Sequence, residues 1–119
     1  MDTTGFSVPH FECNSGDSSP VFRDNIAHSI NGYGAIIYRN DVSDIGKNCI
    51  AASRFTAYKN QFFGIITNQA TNNVQFSNMT FIDNGHSLSA NVGLEGDDQS
   101  VKLKNILFYG ETEARDCKY

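Results

Sequence analysis

The sequence lacks any apolar run near the roughly 20 residues that a helix needs to cross a bilayer, so no membrane span is expected within it. It also lacks a basic stripe. Nine Lys and Arg against thirteen Asp and Glu leave a formal charge of −4, which argues against nucleic acid and against an anionic membrane surface as partners. An uncharged polysaccharide stays compatible with that charge, whereas an anionic one would need a local cluster of Lys or Arg. Met1 is followed by Asp-Thr-Thr-Gly, with neither the basic segment nor the apolar stretch of a signal peptide. The expectation is therefore a cytosolic chain or an excerpt from a longer secreted polypeptide. C-x-x-C spacing is absent as well. Cys13, Cys49 and Cys117 lie far apart, which sets aside a zinc or thioredoxin-like site. Their odd number leaves at least one thiol free or paired outside these residues, and an excerpt accommodates that more easily.

What is present is a repeat. The 119 residues, 39 % of them apolar, suffice for one domain or part of one. Four segments lie on one another without gaps: Val21-Phe-Arg-Asp-Asn25-Ile-Ala-His28, Ile50-Ala-Ala-Ser-Arg54-Phe-Thr-Ala57, Val74-Gln-Phe-Ser-Asn78-Met-Thr-Phe81 and Val101-Lys-Leu-Lys-Asn105-Ile-Leu-Phe108. Their starts are 29, 24 and 27 residues apart. The first column holds Val21, Ile50, Val74 and Val101, and the sixth holds Ile26, Phe55, Met79 and Ile106. The eighth holds His28, Ala57, Phe81 and Phe108, and the third Ala52, Phe76 and Leu103 with Arg23 as its exception. Apolar residues at one, three, six and eight give period-two alternation with one break of phase. That pattern predicts a strand, a one-residue bend and a second strand, both facing inward.

The bend column is Asn25, Arg54, Asn78 and Asn105, where a side-chain amide can bond the backbone and its equivalent one coil away. Six residues on, Asn31, Asn60, Asn84 and Glu111 form a second polar column, and Asn31 and Asn84 each precede Gly, a turn signal. Apolar stretches near 35–38, 64–67 and 88–92 supply a third strand per coil. The connections 39–48, 68–73 and 93–100 absorb the differences in length. These features predict an all-β fold of the pectin-lyase-like kind: a right-handed parallel β-helix of about four coils, three short strands per coil. Its coils start near 21, 50, 74 and 101 and fill 21–119, with 1–20 as a preceding coil or cap. A leucine-rich repeat would show regular Leu columns, and a β-sandwich would not repeat one bend at one offset. A stack this short has open strand edges at its ends, so further coils of the same chain or other copies of it are the expected partners.

The residues Phe22-Arg-Asp-Asn-Ile-Ala-His-Ser29, Arg54-Phe-Thr-Ala-Tyr-Lys-Asn-Gln61, Phe81-Ile-Asp-Asn-Gly85 and Lys104-Asn-Ile-Leu-Phe-Tyr-Gly-Glu111, in that order, carry a family likeness. Over about Val21 to Glu111 the chain resembles the β-helix region of the family of the cell-surface hyaluronidase (transmembrane protein 2), the cell migration-inducing hyaluronidase and the fibrocystin-like proteins. The resemblance implies later β-helix coils of a large extracellular or cell-surface glycoprotein. Two members are associated with hyaluronan depolymerisation, and the fibrocystin-like members are structural or adhesive ectodomains. No established catalytic residue of the family matches a position here.

Individual residues add candidates, each with a plainer reading. His28 is a proton carrier by type, but its apolar column predicts a buried structural histidine. Cleavage of a polysaccharide by acid and base needs two carboxylates about 5 to 9 Å apart. Asp24, Asp83, Glu95, Asp97 and Asp98 are the candidates, with Asp24 and Asp83 foremost. Asp83 shares a column with Lys59, so a surface ion pair explains it, and Asp24 falls in an outward column with Ser53, Ser77 and Lys104. Asp97-Asp98 could ligate calcium, yet no spaced set of oxygen ligands accompanies it, so a solvated loop is preferred and no cofactor or metal is expected. Tyr58 and Tyr109 share an outward column and, with His86 after the Asn84-Gly85 turn, are the candidates for holding a glycan; Tyr33 and Phe62 lie near the second turn. His10 has no context. Asn78-Met-Thr80 is an N-glycosylation sequon, although a bend position should keep that amide occupied internally. The sequence thus favours a structural or adhesive segment, able to assemble end to end into a filament. Part of a hyaluronidase-like polysaccharide depolymerase, or a non-catalytic glycan-binding module, are the alternatives.

Overall fold

The computed structural model describes residues 3–8, 22–38, 50–68, 74–90 and 101–110. Within them every regular element is a strand, with no helix: β1 (Thr3–Val8), β2 (Phe22–His28), β3 (Gly32–Tyr38), β4 (Ile50–Tyr58), β5 (Phe63–Asn68), β6 (Val74–Ile82), β7 (His86–Ser89) and β8 (Val101–Tyr109). They form two four-stranded sheets in the orders β1-β3-β5-β7 and β2-β4-β6-β8. Successive strands therefore alternate between the sheets, and every pairing is parallel and joins a strand to the one two elements later. Parallel sheets need apolar cover, and these two face each other across one core.

The core follows from the columns. In the even sheet Phe22, Ala52 and Phe76 are level, as are Phe55 and Met79, and Ala27, Ala57 and Phe81; all of these are buried. In the odd sheet Ala35 lies level with Ile65, and Val8 with Ile37 and Thr67, again buried. Phenylalanine rings link the layers: Phe22 meets Phe55 at 5.2 Å, Phe55 meets Phe81 edge-on at 6.4 Å, and Phe6 packs edge-on against Phe22 at 5.7 Å. Each fully buried Phe contributes roughly 1.5–3 kcal/mol of transfer free energy.

The break of phase has a backbone cause. Asp24, Arg54, Asn78 and Asn105 have φ between 49° and 59°, the left-handed region. One such residue rotates the pleat by one step, so Ala52 and Phe55 both face inward although three apart. The expected pair of short strands flanking the bend is thus a single strand, and the described part of each of the first three repeats has two strands rather than three. Ser29, Lys59 and Asp83 form a second left-handed column, at the corner where the even-sheet strand ends.

The first repeat sits one residue away from its expected alignment. Phe22 pairs with Ala52, Arg23 with Ser53 and Asn25 with Phe55, an offset of 30 where the gapless alignment has 29. Phe22 therefore replaces Arg23 in the inward column, and the exception disappears. Ala27 takes the inward place expected for His28, which points to solvent. Asp24, not Asn25, lies level with Arg54. The shift has a physical reason: moving the strand by one buries Phe22 and Ala27 and leaves Ile26 and His28 outside, whereas the gapless alignment would bury Arg23 and His28.

Candidate functional site

The outward face of the even sheet and the corner beside it carry most of the candidate residues. At the corner, amides form a buried ladder. Asn60 Nδ2 donates to Asn84 Oδ1 at 2.8 Å and to the Ala27 carbonyl at 3.1 Å, and Asn84 Nδ2 donates to the Ala57 carbonyl at 2.9 Å. Backbone N–H groups close the set, since Ile30 donates to Asn60 Oδ1 and Asn60 to Asn84 Oδ1, both at 3.2 Å. Asn31, expected in this column, is exposed, and Ile30 holds the position above Asn60; the Asn31 carbonyl instead accepts from Thr3 N and Oγ1. The one-residue shift of the first repeat accounts for that exchange.

The bend column behaves differently in each half. Asn105 Nδ2 donates to Asn78 Oδ1 at 3.0 Å, an exposed amide pair. Asn25 sits off the column and donates to the Arg23 carbonyl at 2.9 Å. In its place Asp24 takes a bidentate bond from Arg54, Nε to Oδ1 at 2.5 Å and Nη2 to Oδ2 at 2.6 Å, with both side chains more than half exposed. The hydrogen bond from Arg54 holds the Asp24 carboxyl below its ordinary range against the opposing effect of desolvation; the charges of Arg54 and Arg23 add to the lowering. The same pairing raises Arg54. Asp24 is therefore a paired carboxylate.

Asp83, expected at the surface with Lys59, is 3 % exposed at the corner, and Lys59 beside it is exposed. Asp24 lies in the bend column and Asp83 in the corner column, one exposed on the outward face and the other buried at the corner. Ser29, Ile30, Asn31, Lys59, Asn60, Gln61 and Asp83 line an open groove there. Among the described residues no three His, Cys, Asp or Glu come together as a metal site. Glu95, Asp97, Asp98, His10 and all three cysteines lie outside the described residues.

The aromatic candidates stack along the sheet. His28 and Tyr58 are level, with ring centroids 4.6 Å apart and planes 6° from parallel. His28 Nδ1 also lies 3.3 Å from Ser29 Oγ. Ile82 and Tyr109 continue the column, Tyr109 being 53 % exposed. A sugar ring needs a free aromatic face, and the His28 ring occupies one face of Tyr58. On the other sheet His86 stacks on Phe63 at 4.7 Å, and Tyr33 stacks on Phe63 at 5.9 Å while meeting Phe62 at a tilt. Sequence reasoning missed the Asp24–Arg54 pair and the His28–Tyr58 stack, because both depend on the shifted alignment. The opposite charges of Asp24 and Arg54 were the available signal.

No protein family model, no curated protein and no solved structure matches the chain.

Proposed function

We propose that this chain is a segment of a right-handed parallel β-helix that serves as a rigid structural or adhesive part of an extracellular or cell-surface glycoprotein. The observation that carries the reading is the pairing pattern: each strand pairs in parallel with the strand two elements later, in both sheets. A chain that alternates between two sheets in this way advances one strand spacing, about 4.8 Å, with each circuit. Right-handedness follows the strong rule for crossovers between parallel strands. A structural role is supported by where the polar groups go. Asn60 and Asn84 are consumed by the internal ladder, and Asp24 by Arg54. The extracellular setting rests on the resemblance to the cell-surface hyaluronidase and fibrocystin-like family.

Two measurements test the reading. An experimental density map of the chain should show a right-handed coil rising about 4.8 Å per turn. Incubation of the purified chain with hyaluronan and with neutral polysaccharides should leave their size distribution unchanged. A left-handed or closed two-sheet path would overturn the fold, and depolymerisation would overturn the structural role in favour of the enzyme.

A further inference from the structure

The two ends of the stack match each other. The large apolar side chains exposed among the described residues are Leu103, Leu107, Phe108 and Tyr109 on β8, and Ile26 on β2. These are the two edge strands of the even sheet, and Ile26 and Leu107 occupy the same column, through Thr56 and Thr80. Leu103 and Phe108 stand in inward columns whose members Phe76 and Phe81 are wholly buried, so β8 ends with its inward positions uncovered. The Phe108 ring already stacks on Phe81 at 5.5 Å, with its other face open.

We propose that β8 takes β2 of a second copy of this chain as its next parallel strand, so that copies stack head to tail. This rests on the β-helix reading and adds its partner. One further step of the sheet would place Phe22 of the second copy over Leu103, Ala27 over Phe108 and Ile26 over Leu107. His28 would fall on Tyr109, repeating its stack on Tyr58. In the odd sheet Phe6 would fall on Leu88 and Val8 on Ala90, in the columns already filled by Ala35 and Ile65 and by Ile37 and Thr67. Lys102 and Lys104 are the kind of charge that keeps a strand edge unpaired. Here Lys104 would meet Arg23, a like charge, beside an Asp24 already paired with Arg54, so the apolar columns have to outweigh that repulsion. Asn25 over Ile106 is the one polar residue set against an apolar one. The contact joins two different surfaces, so it propagates rather than closing as a symmetric dimer.

Sedimentation velocity of the 119-residue chain over a range of concentrations tests this. The wild type should form species that grow beyond the dimer in multiples of 13.1 kDa. Ile26→Glu spoils one end and Leu107→Glu the other, so that two spoiled ends meeting each other set like charges face to face. Both positions are outward, and an unchanged far-UV spectrum checks that each variant is folded. Each alone should lose association by roughly tenfold or more. An equimolar mixture should recover it but stop at the dimer, because only one intact pair of ends remains. Oligomers that survive Ile26→Glu would show that another surface is used, such as β8 against β8, and would overturn the proposal. So would a wild type that stays monomeric, its end being covered by the chain's own residues, and so would a mixture that stays monomeric. A monomer whose map still shows the right-handed coil would remove this inference alone and leave the structural reading in place.

Discussion

Asn60 and Asn84 hold the corner of the stack together: one amide donates to the next at 2.8 Å, and each returns to the carbonyl of the strand before it. Asn60 is 1 % exposed, so no water is at hand to replace its bonds. Asn60→Ala would strip the amide from the Ala27 carbonyl and the Ile30 N–H at once, while Asn84 Oδ1 would keep only the Asn60 backbone N–H. At about 1–3 kcal/mol for a buried polar group left unpaired, the expected loss is about 3 kcal/mol or more, read from urea denaturation. Asn84→Ala should act in the same direction. Double substitution should cost less than the sum, because the two amides share a bond.

Gly64 marks a place where backbone and core ring come too close for a side chain. A Cβ there would lie 2.6 Å from Phe81 Cδ1 and 2.6 Å from the Ser87 carbonyl oxygen. Neither neighbour is free to retreat, since Phe81 is wholly buried and Ser87 lies on β7, which pairs with β5. Gly64→Ala should therefore destabilise by about 1–3 kcal/mol, the usual cost of overpacking. Gly110→Ala serves as the control, because a Cβ there meets nothing within 4 Å, and it should leave the thermal midpoint unchanged.

The inward columns were legible in the sequence wherever a residue type fits one environment only. Phe55, Phe76, Met79 and Phe81 declare the core, and the break at Arg54, Asn78 and Asn105 declares the bend. The first repeat was misread because Val21 and Phe22 are both apolar, as are Ile26 and Ala27. Two alignments one residue apart then look alike, and only pairing with Ala52 and Phe55 decides between them. That single step moved His28 from inside to outside and brought Asp24 to Arg54. The corner amides Asn60 and Asn84 were found from spacing, whereas Asn31 was not distinguishable from a ladder member without knowing that shift. The stacking of His28 on Tyr58 is a matter of ring orientation, which no pattern of residue types encodes.

Lys59 sits at φ 55°, where a side chain is crowded against its own carbonyl. Its backbone N–H donates to the Ile82 carbonyl at 3.0 Å, so the conformation is fixed by pairing across the corner. The left-handed region costs roughly 1–2 kcal/mol for such a residue, and glycine removes that cost while losing some entropy in the unfolded chain. Lys59→Gly should thus raise stability by up to about 1 kcal/mol in denaturant melts. Thr56→Gly, inside the preceding strand β4 and without a positive φ, should lower it.

The Asp24–Arg54 pair makes a prediction about acid. The folded carboxyl lies below its ordinary value of 3.8, so folding favours the ionised form. Its contribution is complete above that ordinary value and is lost as the pH falls through the lowered folded one. Wild type should therefore be slightly more stable than Arg54→Gln at neutral pH, and the gap should close below about pH 4. The gap should stay small, because both side chains are more than half exposed, and about 1 M salt should shrink it. An NMR titration of the Asp24 carboxyl carbon isolates the effect from other groups. Its midpoint should lie below 3.8 in the wild type and return towards it in Arg54→Gln, where the bidentate donor is gone and only the charge of Arg23 still acts in the same direction. A midpoint that does not move would mean that the guanidinium and the carboxylate do not stay together in solution, and the exposed face would then present two free charges.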